Sequence, residues 1–88
     1  MHWTINYTKT SEKQLRRLDK QTTLRIMDFL RERVATSGTP RAVGKALSGS
    51  LGDYWCYRVG DYRVICDIQD STLCVLVVQI GNRREIYR

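Results

Sequence analysis

A mixed α+β fold is predicted, with the order β-α-α-β-β-β and a short further strand at the end. A helical hairpin should pack on one face of a mostly antiparallel sheet. Three observations predict it. Residues 54–67, YWCYRVGDYRVICD, read as two strands meeting at Gly60-Asp61, and glycine first in a two-residue loop suits the II′ turn of a tight hairpin. Residues 21–36 repeat apolar side chains at helical spacing through Leu24, Met27, Leu30 and Val34. Residues 72–80, TLCVLVVQI, are apolar on both faces, as expected of a central strand.

The elements follow in order. Residues 2–8 alternate, with Trp3, Ile5 and Tyr7 on one side and His2, Thr4 and Asn6 on the other, the pattern of a half-buried strand. Ser11, with Gln14 three residues later, forms a capping-box pattern, and a short helix with Leu15 and Leu18 on its apolar stripe should end near Asp19 or Lys20. The second helix carries Ile26 and Phe29 beside its stripe. Its other face holds Arg25, Asp28, Arg31, Glu32 and Arg33. Local pairing at helical spacing makes that a solvated face. Gly38 and Pro40 end the helix. Residues 41–53 are glycine-rich and read as a loop pinned by Val43, Leu47 and Leu51, with at most one helical turn over 41–46. Asp70-Ser71 makes a tight turn into the central strand, Gly81-Asn82 breaks it, and residues 83–88 form a short strand or tail.

Eighty-eight residues make one domain, over 1–88, that buries roughly 60–65% of its unfolded surface. No apolar run approaches the ~20 residues of a membrane span, and the polar, alternating start is not a signal peptide. Three cysteines, with Cys56 and Cys66 on opposite faces of the hairpin, do not suggest a disulfide framework. One histidine and no CxxC leave no zinc pattern. The expectation is a reduced, cytoplasmic protein with no metal, cofactor or membrane partner. Fifteen Lys and Arg against nine Asp and Glu give a net charge of +6, which favours polyanionic partners.

The hairpin register carries the functional clue. Trp55, Tyr57, Val59, Tyr62, Val64, Cys66 and Ile68 fall on one face, and Arg58 and Arg63 stand directly opposite each other on the other. Like charges so placed cost stability, which suggests an anion over them. Carried through the second turn, the register puts Ile65 and Leu76 on that face with Val78 opposite Arg63, so the basic patch has an apolar floor suited to a ligand or to an amphipathic partner helix. The returning strand brings Arg83, Arg84 and Tyr87 to the same end. Arginine holds phosphate with a rigid bidentate fork but is a poor general base, and it can stabilise charge developing in a transition state. Tyr87 can stack on a base or exchange a proton. On RNA the substrate brings its own nucleophile, the 2′-hydroxyl. Taken singly each arginine reads as a surface charge, and the clustering is what points to a site.

The pattern K-x-L-x-G-x-L-G-x-x-W-x-Y-R-V-G-D-Y-R-V-I over 45–65, followed by V-x-x-I-G-N-R-R-E-I-Y-R over 77–88, resembles the RelE/ParE superfamily of type II toxin–antitoxin toxins. The helical segment KQLRRLDKQTTLRIMDFL resembles that family's helical hairpin. The resemblance spans essentially the whole chain and implies a RelE-like fold. Its RelE branch consists of ribosome-dependent mRNA endonucleases that cut by 2′-hydroxyl attack. It implies catalytic roles for Arg58, Arg63, Arg83 and Tyr87: Arg63 on the phosphate, Arg83 on the leaving oxygen, Tyr87 on the base. Lys45 and Arg84 are the accompanying phosphate-binding candidates. A lysine that some members carry two residues before the Arg58 position is Cys56 here, and no general base is assigned. The implied partners are a cognate antitoxin, the ribosome and mRNA, with operator DNA reached through the antitoxin. Two other readings belong beside this one. The ParE branch shares the fold, inhibits DNA gyrase without catalysis and usually lacks the Arg83–Tyr87 pair. A toxin that has lost activity would only bind its antitoxin.

Overall fold

The computed structural model describes residues 2–47 and 54–82. Five strands run β1 (Thr4–Tyr7), β2 (Lys45–Ala46), β3 (Trp55–Val59), β4 (Tyr62–Gln69) and β5 (Cys74–Asn82). Three helices are α1 (Lys9–Arg17), α2 (Lys20–Phe29) and α3 (Pro40–Val43). The sheet order is β1-β5-β4-β3-β2. β1 pairs parallel with β5, and every other pairing is antiparallel, so the predicted α+β class and mostly antiparallel sheet hold. The expected strand over 83–88 and the 48–53 part of the glycine-rich stretch lie outside the described residues.

The β3–β4 hairpin has the predicted register, with Trp55 opposite Cys66, Tyr57 opposite Val64 and Arg58 opposite Arg63. Gly60 takes φ 59° while Asp61 keeps a negative φ, as a II′ turn requires. Tyr57, Val59, Val64, Cys66 and Ile68 join Val75, Val77 and Ile80 of β5 in the core, closed by Trp3, Leu15, Ile26, Leu30 and Val34. Cys56, Cys66 and Cys74 are buried and form no disulfide. Burial pushes the Cys66 thiol well above its ordinary range, which makes it inert.

Several local expectations are corrected. α1 begins at Lys9 and is capped by Thr8, whose Oγ1 accepts from Ser11 N at 3.1 Å. Ser11 and Gln14 do not form the capping box. Ser11 is fully buried, and Gln14 Oε1 instead accepts from Ile80 N at 2.6 Å. The reason is topological: β1 ends at Tyr7 opposite Val77, while β5 continues to Asn82. Beyond Val77 the edge of β5 needs partners, and α1 supplies them, with Thr8 Oγ1 donating to Val78 O at 3.3 Å. Gly81 and Asn82 belong to β5 rather than breaking it.

α2 is capped by Asp19 and continues into one π-helical turn, Leu30–Val34, closed by Ala35 N donating to Leu30 O at 2.8 Å. Ile26, Leu30 and Val34 are fully buried, whereas Leu24 is 50% and Met27 36% exposed. Leu30 and Val34 are buried as the periodicity suggests, and in the preceding regular helix Ile26 takes the core position in place of Leu24 and Met27.

Two corrections concern the sheet. Asp70–Thr72 is a 3-10 turn, not a two-residue turn, and ends at Leu73 in the left-handed region (φ 50°). The longer turn moves the register so that Gln69 pairs with Cys74, and a bulge between Ile65 and Cys66 moves it once more, so that Gly81, not Val78, stands opposite Arg63. The arginine face is also less open than expected, since Cys56 and Ile65 are 5% and 1% exposed.

The segment expected as a loop after Pro40 forms α3 and the two-residue strand β2, paired through Lys45–Cys56 and Ala46–Trp55. Side chains fasten it from several directions. Tyr57 Oη donates to Pro40 O at 2.8 Å, and Trp55 Nε1 donates to Arg41 O at 3.1 Å. Arg41 makes a two-pronged contact with Asp70, 2.8 Å for each prong, and lies 5.9 Å from the Trp55 ring. This hydrogen-bonded pair holds the Asp70 carboxyl below its ordinary range. Its contribution is present above the unfolded-state pKa and is lost as pH falls through the lowered folded value. At the junction is Gly44, where an added Cβ would stand 2.5 Å from Cys56 O and 2.8 Å from Tyr57 Cδ1.

Two outcomes are expected. Gln14→Leu, which leaves the half-buried Ile80 amide unpaired, should lower unfolding free energy by about 1–3 kcal/mol, read from urea denaturation at unchanged m-value. An unchanged midpoint would mean that the edge contact contributes nothing. Gly44→Ala should lower it by about 1–3 kcal/mol through overpacking and shift the β2–β3 amide resonances. A variant as stable as the parent would show that β2 is not tightly seated.

Candidate anion site at the edge of the sheet

Because side chains alternate along a strand, Cys56 and Arg58 of β3 share one face, with Arg63 and Ile65 of β4 opposite them and Lys45 of β2 opposite Cys56. Ala46 points to the other face, toward the helices. A cavity of about 480 Å³ is lined by the consecutive residues 43–47 together with Phe29, Arg33, Cys56, Arg58 and Arg63. Lys45 and Ala46 face opposite ways and both line it. The cavity therefore reaches round the β2 edge, from the arginine face to the helical side.

Its electrostatics are one-sided. Arg33, Lys45, Arg58 and Arg63 line it, and among the described residues no acidic side chain does. Arg33, Lys45 and Arg58 are exposed and Arg63 is half-buried. Arg63 Nη1 lies 4.0 Å from Cys56 Sγ, so the guanidinium leans along the sheet toward β2. Guanidiniums carry fixed charge and cannot accept a proton. Tyr57 is no substitute: its hydroxyl is committed to Pro40 O, and burial raises its pKa above the ordinary range. The described lining therefore offers anion binding and charge stabilisation without a carboxylate or histidine to move a proton.

Of the predicted site residues, the structure brings Lys45, Arg58 and Arg63 together around one cavity. Arg83, Arg84 and Tyr87 lie outside the described residues, which end at Asn82, paired with Tyr62. Sequence reasoning missed Arg33, assigned to a solvated face. The available signal was its i,i+4 spacing from Phe29, whose ring it overlies at 5.8 Å.

Elsewhere, the exposed Met27 contributes to two adjoining hollows between β1 and α2, which share Tyr7 and reach Leu15 at one end and Trp3 at the other. No helix among the described residues is long and apolar enough to cross a membrane.

The family model described as the ParE toxin of type II toxin–antitoxin systems matches residues 5–87. Toxin RelG of Mycobacterium tuberculosis is 28% identical over 88 residues, covering 100% of this chain and 99% of that protein. The fold matches the RelBE2 toxin–antitoxin complex of Mycobacterium tuberculosis, with a TM-score of 0.86 and 24% identity over 97% of this chain and 95% of that one. An archaeal RelE–RelB complex from Pyrococcus horikoshii matches with a TM-score of 0.75 and 26% identity over 97% and 99% of the two chains. With the family model spanning nearly its whole length, the chain belongs to the ParE toxin family of type II toxin–antitoxin systems, within the RelE/ParE superfamily.

Proposed function

We propose that this toxin is a ribosome-dependent mRNA endoribonuclease of the RelE kind, acting in the cytoplasm and restrained by a cognate antitoxin. The observation that carries the reading is a cavity, without acidic side chains among its described lining residues, in which Arg58 and Arg63 stand side by side with Lys45. A cross-strand arginine pair is unfavourable on its own and becomes favourable over a phosphate.

In the proposed reaction the 2′-hydroxyl oxygen of the RNA bonds to phosphorus as the bond to the 5′-oxygen breaks. Arg58 and Arg63 hold the phosphate and stabilise the negative charge that builds on it, while Lys45 steadies the adjoining backbone. Arg83 serves the leaving oxygen and Tyr87 the base, as the family pattern implies. Proton transfer is left to groups other than Arg58 and Arg63. This division needs no metal ion, because the charge stabilisation comes from fixed guanidiniums.

The antitoxin partner is supported by the RelE–RelB complexes that share the fold. A segment both acidic and apolar would suit a chain of net charge +6 that exposes Leu24 and Met27, and operator DNA would be met through the antitoxin. A second reading is favoured by the family model itself, described as a ParE toxin: inhibition of DNA gyrase without catalysis.

Expression of the wild type should stop translation and leave cuts within translated mRNA, mapped by primer extension. Arg58→Ala and Arg63→Ala should each lower cleavage by about 10²–10³-fold, the usual effect of removing one charge-stabilising donor. Wild-type cutting by both variants would refute the site. Inhibition of supercoiling by the purified protein, with mRNA intact, would establish the gyrase reading instead.

A further inference from the structure

The cavity does not end at the arginine pair. It rounds the β2 edge to Arg33 on the π-helical turn, and π turns recur at functional sites. Arg33 is exposed and forms no ion pair among the described residues, whereas its helical neighbour Arg31 is taken up by Asp28. Its guanidinium is steadied over Phe29. Phe29 in turn sets its ring edge-on to Tyr57 at 6.2 Å, so the cation sits on the same aromatic support that anchors α3. A charge held in position, with no counter-ion among the described residues, on the far side of a cavity whose described lining has no acidic side chain, is suited to a second anion.

We infer that Arg33 binds the phosphate next to the one held by Arg58 and Arg63, so that a single-stranded polynucleotide backbone leaves the arginine face over Lys45 and Ala46 and crosses the sheet edge. This rests on the nucleic-acid reading of the same site. It makes Arg33 a binding residue for the flanking nucleotide, with no part in the bond-breaking step. Because the binding surface wraps an edge strand, ligands spanning both faces gain affinity that one phosphate cannot.

The test is binding to purified protein, which requires neither ribosome nor cleavage. Anisotropy of a labelled 2′-deoxy hexanucleotide and its displacement by a nucleoside 3′-monophosphate would be measured across a salt series for wild type, Arg33→Ala and Arg33→Lys, with thermal melts to confirm folding. Arg33→Ala should weaken the hexanucleotide about tenfold and reduce the slope of log K against log salt by about 0.7, the loss of one phosphate contact. Monophosphate binding should stay unchanged, and Arg33→Lys should restore most of the slope. Equal binding of the hexanucleotide by wild type and Arg33→Ala would overturn the inference. So would an equal loss for the monophosphate, which would place Arg33 at the first phosphate. If Arg33→Ala matched wild type here while translated mRNA was still cut in cells, this inference alone would fall. If binding followed the expected pattern but mRNA stayed intact, the backbone path would stand and the nuclease reading would fall.

Discussion

The site depends on a contact that leaves no room for a side chain. Gly44 brings the end of α3 against β3 so closely that even a Cβ would collide with Cys56 O and the Tyr57 and Trp55 rings. That approach allows a strand of only two residues, Lys45–Ala46, to dock on the hairpin edge. The seating is then held by polar contacts from above and below, through Tyr57 to Pro40, Trp55 to Arg41 and Arg41 to Asp70. Without it the arginine face would have no rim, and Lys45 and Ala46 would not define an edge for the cavity to round. A buried packing constraint thus shapes a surface function.

The same economy explains the arginine pair. Hairpin register is fixed by the II′ turn and by an apolar face that a one-residue slip would turn toward water. Once Tyr57, Val59 and Val64 are committed to the core, Arg58 and Arg63 must face each other on the opposite side. Like charges so opposed cost stability. That cost is tolerated because each reaches solvent or the cavity. The sheet's other irregularity, the bulge at Ile65/Cys66, sets Gly81 rather than a bulky residue opposite Arg63.

Much of this was legible from residue order. Turn chemistry and alternation agree over 54–67, so the hairpin, its faces and the Arg58–Arg63 pair could be read directly. Where local signals tied, tertiary demand decided. Thr8 and Ser11 are both good caps, and Gln14 was drawn away by the unpaired end of β5. Helical periodicity placed Leu30 and Val34 correctly but took Leu24 and Met27 for core, where Ile26 is buried instead. β2 is too short to show any period, and a bulge is invisible to counting along the chain. Lys45 was found through the family pattern. Arg33 was not, because its neighbours in sequence offered it a bland local role that the packing does not use.

Whether the cavity lined by Lys45, Arg58 and Arg63 is where this toxin holds an anionic backbone can be read directly by NMR. Titration of isotope-labelled protein with a non-cleavable 2′-deoxy oligonucleotide would follow backbone amides and arginine side-chain Nε–Hε resonances together. Perturbations should concentrate on Gly44, Lys45, Arg58 and Arg63. Shifts confined to the α1 surface, with the Arg58 and Arg63 side chains unmoved at saturation, would contradict that placement.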